Sequence, residues 1–387
     1  MARSTVVIIG ASSVGLPAAH TLLQEPSKVR VVLINPSPEF YFNVAAPRIF
    51  AKPKAFRADQ YLLSIEDGFA QYPKESFEFI VGTATAIDVT AKSVSVSAPG
   101  SDNTQSVSYD YLLIASGATT PATTGSVTGS SIPFKAPGRT DTKELIVAAQ
   151  EQIANAKSIV IGGAGPIGVE LAGELAEAVE QSGNAGKVSI TLVSATDRVL
   201  QMLKPSASSA AEKMLKQKNV KVITGTRVLG AEASKDDSSS WTVSLDNNEK
   251  LSTDVYIPTT GSIPNNSFIP EQFLDQDGWV KVTKELRVES AEAIYAAGDI
   301  TNNTMRLAFK AGEQARIAAN NIKVDIAGKG ERKVYDQGTS VMMVVPIGEA
   351  GGTGQIFGFV PWSFMVRMVK GKDYFVSKAP DYLSGKA

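Results

Sequence analysis

Residues Val6–Gly15 read VVIIGASSVG, and this stretch decides the fold. Its apolar, mostly β-branched start predicts a buried strand. Gly10 and Gly15 predict a tight turn, and the alanine-rich residues Leu16–Leu23 predict a helix. Backbone N–H groups and the positive end of a helix dipole then meet at one point, which suits a pyrophosphate. The predicted phosphate contacts are Gly10, Ala11, Ser12, Ser13 and Gly15.

The spacing matches the dinucleotide fingerprint G-x-G-x-x-G, except that Ser12 replaces the middle glycine. A single match of this kind can also close a strand-to-helix joint that binds nothing. Residues Ser158–Glu170, SIVIGGAGPIGVE, repeat the pattern with all three glycines. Two dinucleotides that meet in one chain usually exchange a hydride. The predicted contacts of the second turn are Gly163, Gly165, Ile167 and Gly168.

Two further segments resemble each other. Residues 110–121, DYLLIASGATTP, and residues 254–265, DVYIPTTGSIPN, each run from an aspartate through an apolar strand to a glycine and a proline. Ser116, Gly117 and Gly261 lie where a cofactor can pass close to a strand end. The repetition predicts an α/β fold with two Rossmann-like three-layer domains. We assign residues 1–125 and 266–328 to the first, 126–265 to the second, and 329–387 to a small C-terminal α+β unit.

Composition excludes several classes of protein. The 387 residues are 43% hydrophobic and 20% charged, with a net charge of −1. No basic tail is present, so we expect no nucleic-acid partner. No apolar run reaches the roughly 18 residues of a transmembrane helix. The chain enters a strand almost at once, which leaves no room for a leader and predicts a cytoplasmic protein.

Cysteine is absent, and His20 is the one histidine. A disulfide relay, a thiolate nucleophile, an iron–sulfur cluster and a cysteine-based zinc site are therefore excluded, and we predict no metal site. A lone histidine on a helix is more often structural than catalytic. The chemistry must therefore be carried by bound cofactors.

Several polar residues follow predicted strands. Asn35 stands where a residue that binds a ribose hydroxyl is expected, and it is equally typical of a turn. Arg48, within FYFNVAAPRIF, would pair with a phosphate or extend past the aromatic residues to solvent. Ser194 and Arg198 leave the second ribose without a carboxylate, which favours NADPH without excluding NADH. Asp299 ends a strand and could hold cofactor hydroxyls.

The pattern also predicts a hairpin within residues 278–297, a polar hairpin tip at residues 235–240, and a helix over about 306–322. The helix would direct its N-terminus at whatever Asp299 contacts. The C-terminal stretch WSFMVRMVKGKDYF mixes apolar and basic residues. It could line a pocket, form a dimer face, rest on an anionic membrane surface, or pack in the core.

These motifs together resemble the two-dinucleotide-binding-domain flavoproteins of the pyridine nucleotide-disulfide oxidoreductase superfamily over residues 5–325. The carrying motifs are GASSVG, IASGATTP, GGAGPIGVELAGE, PTTGSIPN and AIYAAGDI. The runs FNVAAPR, KAGEQARIAANNI and KGKDYFV are similar to the apoptosis-inducing-factor-like branch that includes the ferroptosis suppressor proteins. The resemblance implies FAD, NADH or NADPH, and reduction of a quinone-like acceptor.

The resemblance also implies residue roles. Asn35 would lie at the adenosine ribose, Ala84 would touch the adenine, and Arg48 would meet the FAD. Gly298 and Asp299 would serve the ribityl chain and phosphate, and Glu170 would lie near the nicotinamide. The redox cysteine pair and C-terminal histidine of the disulfide reductases are missing, which removes disulfide substrates.

Hydride transfer between the two rings needs alignment rather than an acid or a base. The N-terminus of the 306–322 helix, with Lys310 or Arg306, could stabilise the negative charge of the reduced flavin. Lys310 is equally compatible with a solvent-facing position. Glu170 and Lys310 are therefore the predicted catalytic residues, and electrons would pass to a quinone or to oxygen.

Two other functions stay open from the sequence. One is an NAD(H)-sensing flavoprotein whose role is mainly interaction or signalling. The other is a biosynthetic flavin monooxygenase. The sequence also leaves a monomer and a homodimer open.

Overall fold

A computed structural model of the chain describes residues 3–101, 103–234 and 240–386. Strands β1 to β21, in chain order, are Ser4–Ile9, Val29–Asn35, Glu39–Tyr41, Leu62–Ser64, Phe77–Val81, Thr83–Asp88, Ser93–Ser97, Thr104–Ser108, Tyr111–Ile114, Ala118–Thr119, Ser158–Gly162, Ser189–Val193, Val220–Ile223, Val228–Ala233, Trp241–Leu245, Lys250–Thr253, Val255–Pro258, Ile263–Pro264, Ile294–Ala296, Met343–Pro346 and Gly352–Gln355. Helices α1 to α10 are Gly15–Leu22, Ala46–Ala51, Ile65–Gly68, Pro121–Thr124, Thr142–Asn155, Pro166–Gln181, Pro205–Gln217, Ala308–Ala327, Ser363–Val366 and Ala379–Leu383. Short 3-10 turns cover Asn43–Ala45, Ala58–Gln60, Glu271–Phe273 and Val376–Lys378, and a π-helical turn covers Arg367–Gly371. The predicted α/β class is confirmed.

The first parallel sheet has the order β19-β9-β1-β2-β5. Its central strand β1 is apolar on both faces, and Val6, Val7 and Ile8 are fully buried. This burial is typical of a parallel sheet covered on both sides. Helix α1 packs against α8, and strands β6 to β8 form a separate antiparallel sheet. Ile9 ends β1 opposite Ile34 and Ile114, so three strand ends meet where the first glycine turn begins.

The second parallel sheet repeats this arrangement with the order β13-β12-β11-β17. Gly162, the last residue of β11, lies opposite Val193 and Pro258. The second glycine turn therefore leaves its sheet at the equivalent place. Helix α6 follows that turn and packs against both α7 and the first unit's helix α2.

The two similar segments predicted from the sequence pair with each other. Strands β10 and β18 are antiparallel, with Ala118 opposite Pro264 and Thr119 opposite Ile263. The two segments that connect the units, which contain β10 and β18, therefore lie next to each other. The boundaries predicted for the two domains and for the C-terminal unit stay predictions.

Three local expectations differ from the structure or lie outside it. The segment 278–297 forms isolated bridges, such as Val282–Val288, and then the short strand β19, instead of a regular hairpin. The predicted 306–322 helix begins at Ala308, because Arg306 has φ +54° and Leu307 is extended. Residues 235–239 of the predicted hairpin tip lie outside the described residues.

The C-terminal unit consists of the β20–β21 hairpin followed by α9, the π-helical turn and α10. Strand β21 packs against α7 of the second unit, and α10 packs against α1 of the first. The unit therefore bridges both sheets. Among the described residues no helix is long and apolar enough to span a bilayer.

Candidate functional site

A cavity of about 1170 Å³ lies at the carboxyl ends of the first sheet's strands. It extends from the first glycine turn to the start of α6 and to the C-terminal unit. Ligands of open α/β sheets bind at this edge, where the strand order reverses. A largely apolar cavity with a few converging polar groups is the usual form of a cofactor site.

The first glycine turn forms one wall of this cavity. A Cβ on Gly10, where φ is +105°, would overlap the carbonyl oxygen of Ala115. A Cβ on Gly15 would overlap the carbonyl oxygen of Gly10. Glycine is therefore required at both positions. Residues 10–14 line the cavity, and the turn fits a pyrophosphate group at the start of α1.

Asn35 lines the cavity and also holds the turn. Its Oδ1 accepts a hydrogen bond from the Ala11 N–H at 3.0 Å, and its Nδ2 donates to the Ser37 carbonyl at 2.8 Å. Asn35 therefore both stabilises the turn and forms part of the cavity wall. Its predicted contact with a ribose stays a prediction.

Other predicted contacts line the same cavity: Ala84, Ser116, Gly117, Gly298 and Asp299. The Asp299 carboxylate accepts a hydrogen bond from Lys135 Nζ at 2.8 Å. Lys135 also lines the cavity, and sequence reasoning missed it because it lies outside any recognisable motif. The Lys135 ammonium group therefore lies beside the carboxylate that would bind cofactor hydroxyls.

The second glycine turn borders the cavity by its helix. Gly163 has φ +118°, and a Cβ on Gly168 would overlap the Gly163 carbonyl oxygen. Among the described residues, no heavy atom lies within 4 Å of a Cβ built on Gly165, so this turn is open. Ile167 and Glu170 line the cavity, whereas its described lining does not include the three glycines or Gly261.

Ser194 and Arg198 are already engaged within their own loop. Ser194 is 3% exposed, and its Oγ lies 3.0 Å from the Thr196 Oγ1. An Arg198 guanidinium nitrogen donates to the Gln201 carbonyl at 2.8 Å. No carboxylate stands at position 194, but Arg198 would have to leave its backbone partner to bind a 2′-phosphate. Nucleotide preference stays a prediction.

Arg48 has a protein partner in place of the expected phosphate. It is 3% exposed, and two of its guanidinium nitrogens donate to the Glu174 carboxylate at 2.8 and 2.9 Å. A third donates to the Lys372 carbonyl at 3.0 Å. Arg48 does not belong to the cavity's described lining. A buried cation needs a buried anion, and α6 supplies one.

Glu170 forms a second buried ion pair, at the cavity itself. Its Oε1 lies 2.5 Å from Lys370 Nζ, and both residues line the cavity. Burial raises the pKa of Glu170, and the Lys370 ammonium opposes this shift. The sequence pointed to Glu170, but Lys370 lies 200 residues away and stood in a segment without a defined role.

Lys310 is not among the described residues that line the cavity. Its Nζ pairs with Glu313 at 3.0 Å and lies 5.6 Å from the centre of the Tyr335 ring. Arg306 lines the cavity instead, with its guanidinium carbon 3.7 Å from the centre of the Trp279 ring. Of the two cations considered from the sequence, the structure brings Arg306 to the site.

His20 has a structural environment. Its ring stacks on Phe69 at 4.2 Å, and its nitrogens lie 2.9 Å from the Tyr72 hydroxyl and 2.8 Å from the Leu383 carbonyl. It thereby ties α1 to the C-terminal helix α10. Within the described residues, no group of three or more histidine, aspartate or glutamate side chains could hold a metal.

Comparison with known proteins agrees with this geometry. The curated oxidoreductase ptaL from Pestalotiopsis fici is 35% identical over 98% of both chains. Human ferroptosis suppressor protein 1 is 28% identical over 96% of this chain and 94% of its own, which confirms the resemblance to that branch. The solved sulfide:quinone oxidoreductase of Aquifex aeolicus has the same fold, with a TM-score of 0.78 and 19% identity over 98% of this chain and 92% of its own.

The family model described as pyridine nucleotide-disulphide oxidoreductase matches residues 4–315, which include both glycine turns and the first part of α8. Members of this family are flavin-dependent NAD(P)H oxidoreductases. The chain belongs to the pyridine nucleotide-disulphide oxidoreductase family.

Proposed function

We propose that the protein passes a hydride from NADH or NADPH to a bound FAD and delivers the electrons to a quinone-like acceptor. One observation carries this proposal. The first glycine turn and the start of the helix after the second turn, at Ile167 and Glu170, border a single cavity. Two dinucleotides held there would bring their reactive rings together.

The residues on the cavity wall fit an FAD. Residues 10–14 would hold the pyrophosphate, Asn35 and Ala84 would lie at the adenosine, and Asp299 with Lys135 would serve the ribityl hydroxyls and phosphate. The bound flavin supplies hydride acceptance and electron transfer, which no side chain of this cysteine-free protein can supply.

Charge near the flavin would come from Arg306 and α8. The N-terminus of α8 carries a partial positive charge, and Arg306 stands beside the first residues of that helix. Stacking on Trp279 fixes the guanidinium. These groups favour negative charge at the end of the cavity where Leu307 and Ala308 stand.

The Glu170–Lys370 pair would handle protons for the acceptor. A buried carboxyl whose pKa is raised can hold a proton at a pH where a free glutamate has lost it. The Lys370 ammonium keeps the side chain in place and can return the carboxylate to its charged form. Both groups face the cavity, so a proton would reach an acceptor without passing through bulk solvent.

The far end of the cavity favours a flat, apolar acceptor. Met342, Met343, Ile356, Phe357 and Phe375 line it. Such a wall would accept a quinone-like ring more readily than a charged substrate. The named activity of the Aquifex aeolicus structure, sulfide:quinone oxidoreduction, supports this acceptor class.

The test is anaerobic stopped-flow reduction of the purified protein by NADH and by NADPH, followed by reoxidation with a panel of quinones. We expect a yellow protein whose flavin band is bleached by at least one nucleotide and restored by a quinone faster than by oxygen. Glu170→Gln should slow the quinone step more than the nucleotide step. Lys310→Met is the matched control and should slow neither step.

A colourless protein that cannot be reconstituted with FAD would contradict the proposal. Rapid bleaching followed by slow reoxidation with every acceptor would favour the NAD(H)-sensing role. Hydroxylation of an added substrate by the reduced protein would favour a monooxygenase.

A further inference from the structure

The C-terminal unit carries a dense group of exposed apolar side chains, which we call the apolar ridge. It comprises Phe357, Phe359, Trp362, Phe364, Met365, Met368 and Val369, which are 37–79% exposed. The other large apolar side chains exposed among the described residues are scattered from Val147 to Val334. Concentrated exposure of this kind marks an interaction surface, whereas single exposed residues are ordinary.

Local structure holds the ridge in place. Phe357 and Phe359 flank a turn closed by two backbone hydrogen bonds between Ile356 and Phe359, at 2.8 and 2.9 Å. Trp362 stacks on Phe364 with the ring centres 6.0 Å apart. The following helical turns bury Val366 while Met365, Met368 and Val369 face outward. The ridge is therefore an ordered amphipathic element.

The ridge segment itself carries only basic charge, and its acidic neighbours, Glu349 and Asp373, lie just outside it. Residues 350–372 contain no aspartate or glutamate and include the exposed Arg367 and Lys372, whereas Lys370 is paired with Glu170. Lys204 adds a third exposed cation, because its Nζ donates to the Gly358 carbonyl. A second copy paired ridge to ridge would place like charges against these cations. An anionic surface would complement them.

We propose that the apolar ridge docks on the surface of an anionic lipid bilayer. Trp362 and the phenylalanines would enter the boundary between headgroups and acyl chains, where aromatic side chains are favoured. Arg367 and Lys372, both exposed, would contact lipid phosphates. The docking does not depend on the proposed redox function, since it needs neither nucleotide nor acceptor.

The ridge is fixed to the candidate site. Lys370, on the π-helical turn, pairs with Glu170, and the Lys372 carbonyl accepts from Arg48. Phe357 belongs both to the ridge and to the cavity wall. A docked molecule would therefore turn the apolar end of its cavity toward the lipid.

Vesicle co-sedimentation of the flavin-loaded protein tests the proposal. One set of vesicles is phosphatidylcholine alone, and the other contains about one third phosphatidylglycerol, whose charge attracts basic side chains. We expect strong binding to the anionic vesicles alone. The variant Trp362→Ser/Phe364→Ser/Met368→Ser should lower the partition coefficient by about tenfold or more, and Arg367→Gln by about fivefold.

The matched control is Leu229→Ser/Val334→Ser, which removes side chains that are 66% and 62% exposed elsewhere. It should bind like the wild type. Absence of binding to anionic vesicles, or equal binding by the ridge variant, overturns the proposal. So does light scattering that shows a wild-type dimer and a monomeric ridge variant, because the ridge would then join two copies. Unchanged flavin content and melting temperature establish that each variant is folded.

Discussion

The two glycine turns share a backbone but differ in their surroundings. In both, a Cβ on the last glycine, Gly15 or Gly168, would overlap the carbonyl oxygen of the first glycine. The first turn is a wall of the cavity, whereas the second reaches it through Ile167 and Glu170. Two residues after the last glycine, the first turn has Pro17 and the second has Glu170. The backbone of each turn thus suits a diphosphate. The side chains of the helix that follows the turn distinguish the two units.

The helices after the turns show the same contrast. Helix α1 is short, mostly apolar and packs against α8 of its own unit. Helix α6 carries Glu170, Glu174 and Glu177, all buried and all paired with cations from other parts of the chain. Helix α1 packs mainly through apolar contacts with its own unit and through His20 with α10, whereas α6 joins the second unit to its neighbours through buried ion pairs.

Substituting the last glycine should have the largest effect. Because the added methyl group meets backbone in both turns, Gly15→Ala and Gly168→Ala should each cost about 3 kcal/mol or more. We expect Gly15→Ala to lose flavin and Gly168→Ala to keep flavin but lose reduction by nicotinamide nucleotides. Urea unfolding and the flavin-to-protein ratio after gel filtration measure these effects.

Gly165→Ala is the control, since the space beside Gly165 is open among the described residues. It should change stability by less than about 1 kcal/mol. Loss of flavin from Gly168→Ala and retention by Gly15→Ala would reverse the assignment of the two turns.

Removing the buried ion pair between the units should have the next largest effect. Arg48→Met leaves Glu174, which is fully buried, with Lys52 as its remaining cation at 3.1 Å. Breaking a buried pair by removing one partner costs about 3–5 kcal/mol. The double variant Arg48→Met/Glu174→Leu should recover much of that loss. Urea unfolding measures the difference.

Arg57 provides the matched control, because its pair with Asp59 is 75% and 69% exposed. Arg57→Met should change stability by less than about 1 kcal/mol. Equal losses for Arg48→Met and Arg57→Met would show that burial of the pair between the units does not matter.

The local elements could be predicted from the sequence. Strand β1 ends at Ile9, just before Gly10, and α1 covers Gly15–Leu22 against the predicted Leu16–Leu23, because the apolar pattern and the flanking glycines define these elements locally. The partner of Arg48 could not be predicted, since Glu174 lies 126 residues further along, in the motif GGAGPIGVELAGE, which indicates a nucleotide turn and not a cation partner. The sequence indicated that a buried arginine needs an anion, but only the packing of α2 on α6 supplies the partner.

The same limit applies to Lys310 and Arg306. Both residues belong to the predicted helix, and which of them lies at its N-terminus depends on where the helix begins. Arg306 has a left-handed backbone conformation, which the local propensity of arginine does not indicate. The helix begins two residues later than predicted, and the described cavity lining includes Arg306 but not Lys310, whose catalytic role stays a prediction.

The buried carboxylates of α6 should also affect the pH dependence of the free energy of unfolding. The pKa of Glu170 in the folded protein is raised above its ordinary value of 4.5. As pH rises from about 4.5, the unfolded chain loses this proton before the folded one does. The advantage of the wild type over Glu170→Gln should therefore fall, by at most about 1.4 kcal/mol per pH unit.

Urea unfolding of both proteins between about pH 4.5 and 7 measures this difference. Lys370→Met should enlarge the slope, because it removes the cation that opposes the shift. An advantage that grows with pH would mean that Lys370 keeps Glu170 charged throughout, and that the pair cannot hold a proton for an acceptor.

Exchanging the middle residues of the two turns should have the smallest effect. Ser12→Gly and Gly165→Ser give each turn the other's residue. Gly165 has φ −73°, which serine adopts without strain, and the added side chain meets open space among the described residues. We expect each change to alter stability by less than about 1 kcal/mol and nucleotide affinity by less than about fivefold. Equilibrium titration of the apoprotein with FAD, and of the flavin-loaded protein with NADH and NADPH, measures both. If Gly165→Ser abolishes nicotinamide binding while Ser12→Gly leaves FAD binding unchanged, the second turn needs closer backbone approach than the first. The two turns would then bind a diphosphate differently although their backbones are alike.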